Sequence, residues 1–349
     1  MDNLRLNVSL LKKRVPNLTS AARAIGLRPA TVSNLCTGKI PVGRAEVKTI
    51  VALASLAKCS LDELILRDES VEMIETKIKV LDLFAPITKG GTVGLVARPG
   101  MGQLAILDEL FRNLKKEGYV TMLLKPNGEY PELNEMIEEV DIVTNFIEET
   151  YVKVKETDQQ KDIVFATDRE HVLTGEIFDL QEKLQAEGIN NVTTFLVDLK
   201  GEVVDENIPY GPLETFWYFD VDLVARHKYP AVNPIYSTST VLEGVHLDES
   251  HVSIQQRAKK LLRRYRELRS LVSVKGEEGI PASEIQTYQR GERLEAYLTQ
   301  PFFVAEPFSG RKGEKVSLAD TLKDVQSILN GSLDGASVES LNYIGKKTN

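Results

Sequence analysis

Apolar residues recur along this chain with two different periods, and the change from one to the other divides it. Through residues 4–66 they fall every three or four positions, as in "VKTIVALASLAKCSLDELIL", which predicts helices, the last of them capped by Ser60. After the charged stretch "RDESVEMIET" the pattern becomes short apolar runs set between longer amphipathic segments: "TVGLVA", a helix around Leu104–Lys116, "YVTMLL", "NEMIEEVDIV", "DIVFAT", a helix around Ile177–Ala186 and "VTTFLVDL". Apolar strands alternating with helices of ten to fifteen residues predict a mainly parallel sheet covered on both faces. The tail from residue 251 returns to helical spacing, with Leu261, Leu262, Tyr265, Leu268 and Leu271 on one face. The reading is therefore multidomain. Residues 1–67 form an all-α module, 68–76 a linker, 77–245 an α/β domain and 246–349 a C-terminal region with a helical domain.

Within the first module, "LTSAARAIGLRPATVSNLCTGK" has a specific steric logic. Ala22 is small enough for a helix crossing, Gly26 permits a tight turn, Pro29 suits the first turn of the next helix, and Val32 and Leu35 bury that helix. This is the spacing of a helix-turn-helix. The outward positions Arg28, Thr31, Ser33, Asn34, Thr37 and the following Lys39 include no acid and can bond base edges and phosphates, with Pro29 at the head of the helix counted in the same DNA-facing set.

Charge sharpens the division. The 349 residues carry a net −8, yet residues 1–68 hold 11 of the 43 Lys and Arg and only 5 of the 51 Asp and Glu. A small basic module is joined to a large acidic remainder, and only the former suits a polyanion. Two readings stand: double-stranded DNA as partner, or a small bundle used for protein contacts. Cys36 and Cys59 lack metal or disulfide spacing, and His171, His227, His246 and His251 are scattered, so no metal site is expected. No run of eighteen apolar residues and no signal-peptide pattern occur, so no membrane insertion is expected and a cytoplasmic location follows as the expectation.

Residues 4–66, including the ending "SLDELI", resemble the Cro/repressor-like DNA-binding domains of the xenobiotic-response-element (XRE) type. That resemblance implies dimeric binding to two half-sites, and hence a homo-oligomer assembled through the large domain. In the remainder, "IKVLDLFAPITKGGTVGL", "YPAVNPIYSTST" and "YLTQPFFVAEPFSGRKGEKVSLADTL" are similar to the nucleotide-binding and C-terminal domains of the F-type ATP synthase beta subunit. That implies a P-loop NTPase-like, RecA-like α/β domain followed by helices. The family's small N-terminal barrel is missing, and the helix-turn-helix-like module stands in its place.

The same resemblance locates the chemistry. A phosphate loop of the form G-x-x-x-x-G-K-[ST] uses backbone N–H groups, a lysine and a magnesium-binding hydroxyl. Here its first glycine falls on Ala97 and its second on Gly102, while Gln103 replaces the lysine and Leu104 the hydroxyl residue. Gly100 and Gly102 keep part of the cradle. Arg98 is either a substitute cation or an ordinary solvated arginine. Glu129 matches the family's general base, although Tyr130 replaces the arginine beside it. Asp198 matches the aspartate that orients magnesium, or else caps a turn. Tyr229, Phe302 and Phe308 match the rings that enclose adenine, or else are core residues kept with the fold.

The resemblance thus implies ATP or ADP bound without hydrolysis, with Glu129 and Asp198 vestigial and no metal held. The expected function is a DNA-binding transcriptional regulator carrying a disabled ATPase-like domain for oligomerisation or nucleotide sensing. The alternatives are a residual ATPase working through Arg98 and Glu129, and an accessory protein that docks on ATP synthase-like subunits.

Overall fold

The computed structural model describes residues 4–15, 18–36, 40, 42–67, 72–128, 130–157, 160–202, 213–243 and 247–347. Thr37, Lys39 and Glu129 lie outside the described residues. The described chain separates into two compact units, the first running to Glu72 and also taking in Glu243, the second running from Met73 to Leu242 and resuming at Leu247.

The first unit opens with strand β1 (Leu4–Leu6), followed by helices α1 (Val8–Arg14), α2 (Leu18–Ala24), α3 (Pro29–Cys36), α4 (Val47–Ala57) and α5 (Leu61–Leu64) and strand β2 (Ile65–Arg67). The two strands pair antiparallel, Leu4 opposite Arg67, and close the unit on itself. Each is three residues long, too short for its alternation to be legible in sequence. Helix α4 buries Ile50, Leu53, Ala54 and Ala57, the spacing of one helical face. It ends at Lys58 in the left-handed region (φ 50°), whose carbonyl accepts from Arg14 Nη1 at 2.8 Å. At the start of α5 the Ser60 side chain accepts from the Glu63 N–H at 3.1 Å while the Ser60 N–H donates to Glu63 Oε2 at 2.7 Å. This reciprocal cap is worth about 1 kcal/mol.

The second unit is an α/β domain that continues into helices. A short antiparallel pair, β3 (Met73–Ile74) with β4 (Ile87–Thr88), brackets the buried helix α6 (Lys79–Phe84). The segment expected as a linker, residues 68–76, thus contains strand β3. The main elements are β5 (Thr92–Val96), α7 (Gln103–Lys116), β6 (Val120–Leu124), α8 (Asn134–Glu139), β7 (Ile142–Thr144), α9 (Ile147–Glu156), β8 (Ile163–Asp168), α10 (Glu170–Leu173), α11 (Glu176–Ala186) and β9 (Val192–Val197). They continue with β10 (Thr215–Tyr218), α12 (Val221–Ala225), β11 (Thr238–Ser239), α13 (Glu249–Lys275), α14 (Ile285–Tyr297), α15 (Glu306–Ser309) and α16 (Leu318–Asn330).

Seven strands form one sheet in the order β11-β10-β5-β9-β8-β6-β7, with every neighbouring pair parallel except β10 with β11. Successive side chains of the central strands enter different cores. Val93 and Leu95, Val164 and Ala166, and Phe195 and Val197 pack with α7, α13, α14 and α16, whereas Val96, Ile163, Phe165 and Leu196 pack with α9 and α11. Burial on both faces explains why these strands read as continuous apolar runs.

The strand order also fixes where a ligand can enter. From β5 the chain crosses to β6 on one side, and from β9 it crosses to β10 on the other, so the direction of winding reverses at β5 and β9. Ligands of open α/β sheets occupy the crevice at the carboxyl ends of strands where this reversal occurs. The loop at residues 97–102 and Asp198 sit at those ends.

Candidate nucleotide site and candidate DNA-facing helix

The loop after β5 is shaped by two glycines in the left-handed region, Gly100 (φ +82°) and Gly102 (φ +86°), conformations costly for any other residue. Gly102 precedes α7, and the N–H groups of Gly102, Gln103, Leu104 and Ala105 have no acceptor among the described residues. Four unpaired donors at the positive end of a fourteen-residue helix constitute an anion cradle. One donor of the loop is diverted: the Arg98 N–H points to Met101 Sδ at 3.2 Å, and Met101 is buried in the core.

The groups that would act on phosphate are not there. Gln103, at the lysine position, is a buried neutral amide, and Leu104 packs against the core without an oxygen to offer. Arg98, Pro99 and Gly100 are exposed. The cradle therefore fits the phosphates of a nucleotide as an anion, but the side chains around it do not supply the lysine or the metal ligand.

Across the crevice, Asp198 directly follows β9, is buried, and accepts from the Gly201 N–H at 2.9 Å. A side chain at Gly201 would collide with Pro99 Cδ, so this turn lies directly against the phosphate loop. A second carboxylate escaped the sequence reading: Asp168 ends the neighbouring strand β8 and accepts from the N–H groups of Glu170 (2.9 Å) and Leu199 (3.1 Å). Burial raises its pKa, and the Glu170 and Asp198 carboxylates add to the rise. Its signal was the acid at the end of "IVFATD". Among the described residues no group of three or more His, Cys, Asp or Glu is arranged to hold a metal ion.

The aromatic residues separate into different surroundings. The Tyr229 ring lies beside the loop, its Cδ1 3.8 Å from where a Cβ at Gly102 would stand. Its backbone is fixed from the C-terminal region, with the Tyr229 N–H donating to Tyr343 Oη at 3.1 Å and its carbonyl accepting from the Gln300 N–H at 3.0 Å. Phe302 is a core residue, 7% exposed, whereas Phe308 on α15 is 81% exposed. Between them the chain is fastened to α7: Val304 N–H donates to Glu109 Oε2 at 3.1 Å, and the Phe303 ring lies 4.7 Å from the Arg112 guanidinium. Helix α7, which follows the glycine loop, thus also carries the aromatic segment, a link that spacing alone did not show.

In the first unit, α2 and α3 meet at a tight turn. Gly26 (φ +81°) follows α2, and the Leu27 N–H reaches back to the Ala22 carbonyl at 2.9 Å, the six-to-one bond that stops a helix at glycine. Ala22 is fully buried, and Val32 and Leu35 turn α3 into the core. Arg28 and Ser33 are exposed, while Pro29, Thr31 and Asn34 are half-buried, with Pro29 the first residue of the helix.

Residues 243–334 match the family model of the C-terminal domain of V and A type ATP synthase. The C-terminal region of this chain is ATP-synthase-like. The matched segment takes in α13, α14, α15 and α16, including the "QPFF" and "AEPF" segments that carry Phe302 and Phe308. No helix among the described residues is long and apolar enough to cross a membrane.

Proposed function

We propose that this chain is a DNA-binding regulator whose first unit is a helix-turn-helix and whose second unit is a catalytically silent, RecA-like relative of rotary ATPases. The observation that carries the first half is the α2–Gly26–α3 junction, which buries Val32 and Leu35 and leaves a face with Arg28, Ser33, Thr31 and Asn34 and no acid. The basic balance of the same unit supports it, because phosphate contacts supply most of the affinity for a duplex. The second half rests on Gln103 and Leu104. Phosphoryl transfer depends on charge stabilisation, and each missing group withdraws roughly 3 kcal/mol of it.

In this reading the second unit holds ATP or ADP through the α7 cradle and the Tyr229 ring, and answers to the nucleotide without hydrolysing it. A ligand that binds two conformations unequally shifts their balance without turnover. It also assembles copies of the chain, since one recognition helix grips a half-site weakly. The test is retardation of random and genomic duplexes over a salt series. The account expects affinity that falls steeply with salt and is lost in Arg28→Ala. Absence of any retarded duplex refutes it.

A second reading follows from the matched C-terminal domain: docking on ATP-synthase-type subunits, with the first unit used for protein contact. Co-purification of such a subunit without duplex binding would select it.

A further inference from the structure

We propose that the cleft between α12, the Pro230–Ile235 loop, α13 and α14 binds a small monocarboxylate through Arg266 and Arg269. This site lies in the second unit and does not depend on the nucleotide reading. The cleft encloses about 50 Å³ beneath an open mouth, and its floor is apolar, formed by Leu223, Val232, Ile235, Leu262 and Leu298.

The charges on its walls are unevenly matched. Arg226 is paired at all three nitrogens: Nε and Nη2 donate to Asp222 Oδ2 at 3.1 and 2.8 Å, and Nη2 also donates to Glu295 Oε1 at 2.8 Å while Nη1 donates to Glu295 Oε2. Arg269 shares the same acids, with Nη2 at 2.6 Å from Asp222 Oδ2, but its Nη1 stays 3.7 Å from Glu295 Oε1, beyond hydrogen-bond reach. Arg266, one turn earlier on α13, has no acid partner among the described residues; its guanidinium lies 5.3 Å from the Tyr236 ring. The remaining acid, Asp220, is taken by Asn233 Nδ2 at 2.6 Å and by the Asp222 N–H at 2.9 Å.

Two guanidinium nitrogens, Nη1 of Arg266 and Nη1 of Arg269, are therefore buried without a hydrogen-bond acceptor among the described residues, on the same face of one helix and in the wall of one cavity. Leaving such donors unmet is costly, and charge-assisted bonds to a carboxylate are the strongest remedy available. A monoanion with a short apolar chain fits on both counts: two oxygens for two donors, and methylenes for the apolar floor. A phosphate dianion brings a second charge against Asp222 and Glu295, so the chemistry favours the carboxylate.

The experiment is calorimetric titration of the full chain with sodium butyrate, against sodium chloride of equal ionic strength and against sodium phosphate. Saturable one-to-one binding of butyrate is expected, at least about tenfold weaker in Arg266→Gln. Ile235→Trp, which fills the cleft without altering charge, is expected to remove binding while both variants keep the parent's circular dichroism. No saturable heat with butyrate overturns the proposal, as does equal binding by Arg266→Gln, or phosphate binding that matches butyrate and shows the same dependence on Arg266.

Discussion

Tyr229 faces Gly102 at van der Waals distance, its Cδ1 3.8 Å from the position a Cβ would take. Residues 127 positions apart thereby place a ring against the first donor of the α7 cradle, and the ring is held there by Tyr343 and Gln300 from the C-terminal region. What the loop lacks is the pair at the next two positions. Restoring both in Gln103→Lys with Leu104→Thr should create ATP binding that strengthens with magnesium, whereas the parent chain is expected to bind ATP equally with and without the metal. Titration calorimetry with ATP, with and without magnesium, separates the two cases; a magnesium-dependent parent contradicts the reading.

Asp108 gives the second unit a pH dependence of predictable sign. Burial first, and then the carboxylates of Glu139, Glu109 and Glu135, raise its pKa from 3.8 to about 6. A carboxyl whose pKa is higher in the folded state contributes stability fully below its unfolded value, and the contribution is lost as pH rises through the folded one. Stability should therefore decline between about pH 4 and pH 6, and Asp108→Asn should raise the melting midpoint at about pH 8 while leaving it unchanged near pH 4. Thermal melts of the two chains at both pH values check this.

How much of this was legible in the sequence depends on how local each signal was. The strands β5, β6, β8 and β9 and helices α7 and α11 were readable because continuous apolar runs and 3.6-residue faces are properties of a single segment. Pro29 at the head of α3 and Ser60 at the cap of α5 were readable for the same reason. By contrast β10 (Thr215–Tyr218), with Trp217 fully buried, did not stand out, because its four residues derive their role from pairing with β5. Nor could spacing tell that Phe302 is core and Phe308 exposed, or that Asp168 joins Asp198; strand order decides the latter, with Asp168 opposite Val197.

Trp217 is the chain's one tryptophan, and its Nε1 donates to the Ala85 carbonyl at 2.9 Å inside the core. Trp217→Phe leaves that carbonyl unsatisfied and opens space, at a cost of about 3 kcal/mol. Urea unfolding of the second unit followed by circular dichroism should show the lower midpoint. An unchanged midpoint would mean that β10 is not integral to the sheet.

The α2–α3 junction makes a matched pair of predictions. Gly26→Ala meets no neighbour within 4 Å but forces alanine to φ +81°, so it should cost the first unit about 1 kcal/mol. Ala22→Leu inserts bulk where the residue is fully buried, and should cost about 1–3 kcal/mol. Hydrogen exchange of first-unit amides reads both, and the second unit's protection should not change.

The most direct test of the central claim, that the chain acts by gripping DNA through α3, is capture of bound fragments across a genome by the parent chain and by Arg28→Ala. The account predicts sharp, reproducible sites for the parent and their loss in the variant, with about ten- to a hundredfold weaker binding to a recovered site. Diffuse recovery from the parent, or the same sites recovered by both chains, would contradict it.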